Sequence, residues 1–366
     1  MHKALFFEGS LHVTIKPDGP ILIKAGEGGG ADPALPDMEF VRTQTRGSRR
    51  EDQVYLPGAS LKGVVRAHCE RICRSLDSAE LQALRRARVQ ELDPDAPILP
   101  LADNPLGKLG VYRGPDDREA MDFSSGRFLE KESDTATVYR RSALTAQMFG
   151  HTALAGRVRF ADAYAAPGSV LIEERNGVAI DRIYGSVAVG PFNYETVVAG
   201  SFSTRIELRN LSLAQLGLLG LALRDLAAGR VALGFGKSRG LGRVTLSFDA
   251  LELRYPTCIL ADGALTTARG RAVAPRGSIA GVGALCAGDP AFAQYAFPAD
   301  DHAPVAGLEP GDAAPPEFDP AAPPAAGLAL GPDEWLGVRL LAAGDVAVRE
   351  LLRACVSGPW RREIAL

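Results

Sequence analysis

An α+β fold with a ferredoxin-like core follows from three features of this sequence. Two segments with helical spacing, 61–76 and 212–228, each follow a stretch that alternates like a strand. A third alternating run, 244–255, closes the pattern after a glycine-rich loop. The resulting order is strand, helix, strands, strand, helix, strand, with extra hairpins between, as in the split β-α-β arrangement. The chain has 366 residues, 46% of them apolar. That is enough for one large domain or two to three small ones.

Residues 4–24 read as one or two strands, interrupted by the turn Pro17-Asp-Gly-Pro. Residues 25–53 read as a long loop with a basic cluster at Arg42, Arg46, Arg49 and Arg50. Ser60 is the expected N-cap of a helix running to Leu76. Leu61, Val64, Val65, His68 and Ile72 form its apolar stripe, and Lys62 and Arg66 fall together on the polar side. Cations near a helix start oppose the macrodipole, so a neighbouring phosphate is expected there. Residues 78–91 look helical, and 92–147 read as an irregular inserted lobe. Strands follow at 156–164 and from Leu171. A long hairpin is expected over about 177–200, with its tip near Gly190-Pro191. The strand 201–209 leads into the apolar helix 212–228.

The formal charge of −3 hides a split. Gly277 to Val338 contains nine acids and no Lys or Arg, which leaves +6 on the rest. The basic part suits nucleic acid. Residues 261–334, rich in Ala, Pro, Gly and Asp, read as a loose acidic arm lying on a neighbouring basic face. A strand and helix over 335–366 complete the expected division after a core of 1–260. Five scattered cysteines make no disulfide framework. His68, Cys69 and Cys73 lack a second ligand pair, so buried thiols are expected. His12, His151 and His302 show no partner spacing. The longest apolar run, near Leu211–Leu223, is too short for a bilayer. No signal-peptide cleavage pattern is present, and a cytoplasmic location is expected.

Residues 234–244, GFGKSRGLGRV, carry the clearest chemistry. Glycine lets such a loop present backbone N–H groups, and Lys237, Arg239 and Arg243 add positive charge. Gly236, Ser238 and Gly240 complete the expected anion cradle. The end of a nucleotide P-loop is present as Gly236-Lys237-Ser238, so a nucleotide-binding enzyme is one reading. Val231 stands where the first P-loop glycine belongs, however, and a strand-like run follows in place of a helix. A polymer of phosphates fits better.

Four segments in order resemble the RAMP superfamily of CRISPR-associated proteins. They are YLPGASLKGVVRAH at 55–68, MFGHTALAGRVRFADAY at 148–164, the 177–208 hairpin with its following strand, and the glycine loop. The nearest likeness is to the backbone subunit of type III (Csm-like) effectors and its type IV relative. The resemblance spans about 1–255. It implies an RRM-like core in a palm, fingers and thumb arrangement, with subunits stacked head to tail along one crRNA. The implied partners are that guide, a complementary RNA or DNA target, further copies of the chain and other effector subunits. RNA binding of this kind needs no cofactor.

The resemblance also implies site residues. Ser60, Lys62, Arg66, Arg182, Gly236, Lys237, Ser238, Arg239, Gly240 and Arg243 are expected on RNA, with Arg140 and Arg141 near it. Tyr184 and Phe192 are expected to stack on a displaced base. In type III subunits an aspartate before the Pro-Gly-Ser helix cuts target RNA with Mg2+ or another divalent metal. Asp37 matches that position best, with Asp32 and Glu27 as fallbacks. Met38-Glu39 replaces the family's small-Pro pair, and 43–53 is an insertion. Type IV relatives are scaffolds without this cleavage.

Overall fold

The computed structural model describes residues 4–26, 36–44, 52–116, 119–166 and 168–365. In chain order the first elements are β1 (Glu8–Pro17), β2 (Arg42–Gln44), β3 (Asp52–Leu56), α1 (Gly58–Leu76) and α2 (Ala79–Val89). Short helices α3 (Ser125–Phe128), α4 (Thr135–Arg140) and α5 (Leu144–Phe149) follow. Then come β4 (Val158–Phe160), β5 (Ala163–Ala165), β6 (Leu171–Ile180), β7 (Val187–Ala199), β8 (Phe202–Arg209), α6 (Leu213–Ala227) and β9 (Val244–Tyr255). The remainder holds β10 (Cys258–Ala261), β11 (Ala264–Thr267), β12 (Ser278–Ala280), α7 (Val282–Cys286), β13 (His302–Pro304), β14 (Gly327–Pro332), β15 (Val338–Ala343) and α8 (Asp345–Cys355).

The ferredoxin-like core is present. β1 lies between β8 and β9, and β4 and β5 pair with the far edge of β8, all antiparallel. Alternation explains the choice of face: Leu11, Val13 and Ile15 are buried, and the residues between them face outward. Helices α1 and α6 cover the buried face, and α6 is apolar nearly all round because α8 packs on its other side. Its start is a capping box between Ser212 and Gln215.

Three parts differ from the sequence reading. The expected loop 25–53 contains a strand pair, β2 with β3, and its Phe40 bridges back to Lys24. The inserted lobe is helical, with a small core of Leu129, Val138, Tyr139 and Leu154. The segment 261–334 is packed, not loose. Tyr295 joins the lobe core, and Leu265, Ile279, Ala303 and Leu308 join the main core. β14 extends the main sheet beside β15. Phe318 lies on the sheet's opposite face, over Ala250, Leu341 and Ala343 and 4.7 Å from the His12 ring.

Composition misled here because the apolar side chains of this segment are small and widely spaced. Its acids also have partners within the chain: Glu317 with Arg254 and Arg339, and Glu309 with Arg276.

Asp301 fastens this segment to the core. Its two carboxylate oxygens accept N–H bonds from Leu213, at the start of α6, and from Gly283, at 2.8 and 2.9 Å. Gly281 leaves room for it, since a Cβ there would stand 2.1 Å from Asp301 Oδ2. Burial pushes the carboxyl up to about 7, against the pull of the two N–H donors. The folded chain therefore holds this proton more tightly than the unfolded chain. The stability gained from it is present below about 4 and lost as pH rises through 7. Urea unfolding of wild type and Asp301→Asn should show a stability difference that shrinks across that window. A constant difference would contradict the assignment.

Candidate nucleic-acid interface

Rotation of α1 decides which of its side chains reach the surface. Leu61, Val65, Cys69 and Cys73 are buried, so that stripe faces the core. At about 100° per residue, Lys62 and Arg66 lie on one flank of the stripe. Arg71, nine residues after Lys62, lies about 180° round on the other flank. Ala59 and Gly63 are exposed on the outward face between them. A Cβ on Gly63 would meet nothing within 4 Å.

Ser60 is not the N-cap. Pro57 holds that position without a side-chain bond, and Ser60 sits inside the first turn. The first N–H, of Gly58, donates instead to Asp162 Oδ1 at 2.7 Å. Asp162 follows β4 and comes from the segment after the Phe-Gly turn. Its carboxylate supplies the negative charge that a phosphate was expected to bring.

Lys62 is half-buried, with Arg66 and Arg159 nearby. Burial, and then those two charges, hold its amine below the ordinary lysine value. Arg66, expected on phosphate, is a strut within the fold. Its Nε donates to Glu70 at 2.8 Å and its Nη1 to the carbonyl of Gly150 at 2.9 Å. Asp103 lies 3.7 Å from Nη2. Arg159 is the exposed cation beside Lys62.

The glycine loop forms a tight turn leading into β9. Lys237–Arg239 make one 3-10 turn between Gly236 and Gly240, both left-handed. Several N–H groups expected to face an anion are used internally. Arg239 and Leu241 donate to the Gly236 carbonyl, Gly240 to Lys237, and Gly242 to Pro20. The N–H groups of Lys237 and Ser238 open the turn and precede its own bonds. Lys237, Ser238 and Arg239 are exposed. Burial, and then the charge of Arg71, hold the Lys237 amine below its ordinary value. Arg71 thus joins the loop to the far flank of α1. Arg243 is engaged elsewhere, 2.8 Å from Asp18.

The hairpin β6–β7 is longer than expected and turns at 181–186, while Gly190-Pro191 lies within β7. Arg182 and Tyr184 therefore sit at the tip. Tyr184 is 82% exposed, and among the described residues no carboxylate pairs with Arg182. Phe192 lies midway along the hairpin, opposite Gly177. A Cβ on Gly177 would come within 2.6 Å of its ring, so the ring packs on that glycine. The Arg239 guanidinium stands 5.3 Å from the ring centroid, a cation–π contact tying the glycine loop to the hairpin.

Asp37 meets the same hairpin. It is exposed, and its Oδ2 accepts the Asn193 N–H at 2.9 Å. Met38 continues the contact, bonding Asn193 and Glu195 through its backbone. Arg42 then grips Glu195 with two bonds of 2.8 Å. Burial alone would raise Glu195, but Arg42 holds it below its ordinary value. Asp37, Phe192 and Arg239 are thus gathered at one place. Asp32 and Glu27, like Arg46, Arg49 and Arg50, lie outside the described residues.

Arg140 and Arg141 both pair with the buried Asp93, at 3.1 and 2.6 Å, rather than standing free. Cys69 and Cys73 are buried thiols pushed well up by desolvation. His68 bonds Asp225 at 2.9 Å. Sequence reasoning gave no role to Asp162, Arg71 or Arg159, although Asp162 lies in the segment 148–164 that carries the family resemblance. The helical wheel could have found Arg71; nothing local marks Arg159.

The glycines of the loop differ in what they tolerate. A Cβ on Gly234 would stand 2.1 Å from the Leu22 carbonyl oxygen, whereas one on Gly240 meets nothing within 4 Å. Gly240→Ala should cost only its left-handed strain, about 1–2 kcal/mol. Gly234→Ala should cost clearly more, measured by denaturant unfolding. Equal losses would count against this geometry.

Among the described residues no helix is long and apolar enough to cross a membrane. A search of the curated proteins gives no match. The sequence profile of the RAMP superfamily matches residues 15–245, which run from the end of β1 through α1, the hairpin and α6 to the glycine loop. The chain therefore belongs to the RAMP superfamily of CRISPR-associated proteins.

Proposed function

We propose that the chain is a crRNA-binding backbone subunit that polymerises along the guide of a CRISPR effector, together with other effector subunits. The observation that carries this reading is the outward face of α1. Its surface is made of small residues, and cations without carboxylate partners among the described residues border it: Lys62 and Arg159 on one side, Arg71 and Lys237 on the other. A phosphate chain can approach such a face closely and meet charge on both rims. Contacts of this kind hold a backbone and read no sequence, so a target, RNA or DNA, is chosen by base pairing with the guide. Tyr184 and Arg182, at the hairpin tip, reach furthest from the core and suit stacking against a displaced base.

The nucleotide-enzyme reading loses support. Gly236-Lys237-Ser238 leads through a 3-10 turn into strand β9, so no helix N-terminus follows to face a triphosphate.

Each lysine should contribute one phosphate contact. Lys62→Ala and Lys237→Ala should each lower the slope of log K against log salt by about 0.7, the value per contact for single strands. Arg66→Ala should leave that slope unchanged and lower the melting temperature. Filter binding across a salt series tests this, and unchanged slopes in both lysine variants would overturn the assignment. Because both amines titrate below 10.5, affinity should also begin to fall on the alkaline side before that value.

A second reading, cleavage of target RNA, rests on the exposed Asp37 carboxylate held against the middle of the hairpin. Among the described residues no three metal-ligating side chains converge. A lone carboxylate suits Mg2+ only where substrate phosphates and water complete the shell. The described residues therefore do not by themselves make a metal site, and the role assigned to Asp37 is to accept a proton from an attacking 2′-hydroxyl. Complexes assembled with Asp37→Asn should keep target binding and lose at least 100-fold in cleavage rate. Cutting at the wild-type rate would remove this reading and leave the scaffold.

A further inference from the structure

Two features outside the RNA-facing surface match each other. The first is a cleft of about 580 Å3 between α2, α4, the 293–301 segment and the end of the chain. Six arginines line it. Arg85 and Arg88 share Glu363, Arg140 and Arg141 share Asp93, and Arg362 pairs with Asp300. Arg86 has no carboxylate among the described residues, and its buried Nε finds no acceptor. Val89 and Leu92 give the cleft an apolar wall, and Leu92 is 49% exposed.

The second feature is the β14–β15 turn. Asp333 closes it by accepting the Trp335 N–H at 3.0 Å, and its own N–H reaches the Gly337 carbonyl. This ordered tip presents Trp335 at 88% exposure and Leu336 at 70%, next to an exposed Glu334. Trp335 does not line the cleft of its own chain. An exposed Trp beside Leu on an ordered turn is costly to leave in water and is the type of group that anchors interfaces.

We propose that the tip formed by Glu334, Trp335 and Leu336 of one copy seats in the arginine-lined cleft of a second copy. The indole packs on Val89 and Leu92 and stacks with a guanidinium, and Glu334 takes Arg86 as its partner. Charge complementarity selects this occupant: the cleft carries surplus arginine, and the tip offers a free carboxylate beside an aromatic ring. Knob and cleft are different surfaces, so each copy keeps one of each to offer and association continues past the dimer.

The contact needs no RNA, so its test is separate from that of guide binding. Sedimentation of the nucleic-acid-free full chain over a micromolar range should show mass growing with concentration. Trp335→Ala, on an exposed turn, should weaken association at least tenfold without lowering the melting temperature. Glu334→Arg and Arg86→Glu should each weaken it, and the double variant should recover it. A wild-type chain that stays monomeric throughout overturns the proposal. So does failure of the double variant to recover while it remains folded. Intact association in Arg86→Glu with loss of inorganic phosphate or RNA binding would assign the cleft to an anion instead, and would also overturn it.

Discussion

The cations that border the outward face of α1 owe their positions to how that helix is rotated. The helix has one apolar stripe, and burying Leu61 and Val65 in it is worth about 1.5–3 kcal/mol each. A rotation of one residue would lose that burial and drive Lys62 inward. The position of Lys62 on one flank and Arg71 on the other is therefore a consequence of core packing. The second flank gains meaning only because the glycine loop arrives there. It does so because Gly234 and Gly242 let its backbone pass against Leu22 and Leu233, where a Cβ would stand 2.1 Å from each carbonyl oxygen. Packing of the sheet, the helix and the loop thus sets the spacing of the cations before any RNA is present.

The order of core elements was legible because each rests on local pattern. Alternation marks β1 and β9, a single stripe marks α1, and a long apolar run after a strand marks α6. The segment 261–334 was not legible for the converse reason. Its order comes from distant partners: Asp301 on Leu213, Phe318 over Ala250, and Tyr295 against the lobe. Short apolar residues in Pro-rich sequence have the composition of a linker. Only the chain they fold against makes them a core.

The candidate site divides along the same line. The glycine loop, Lys62 and the hairpin could be picked out because their residue types are unusual where they stand. Which arginines are available could not. Arg66, Arg140, Arg141 and Arg243 each find a carboxylate, and among those acids only Glu70, four residues after Arg66, stands where a local reading would pair it. Ser60 lost its capping role to Asp162, more than a hundred positions away and joined to it only through the sheet.

A count of basic residues is for this reason a poor map of where RNA lies. Guanidinium groups suit fixed, two-pronged partners, so the fold uses many of its arginines as internal struts. The two lysines of the site behave differently. An ammonium on a flexible stem gains less from any one protein partner, and both Lys62 and Lys237 remain without one among the described residues while burial and neighbouring cations depress them. Such a group keeps its proton less firmly than a lysine in open water, and an anion beside it would oppose that shift. In the proposed reading, the depressed lysines, more than the total of +6 outside the acidic segment, mark the anion track.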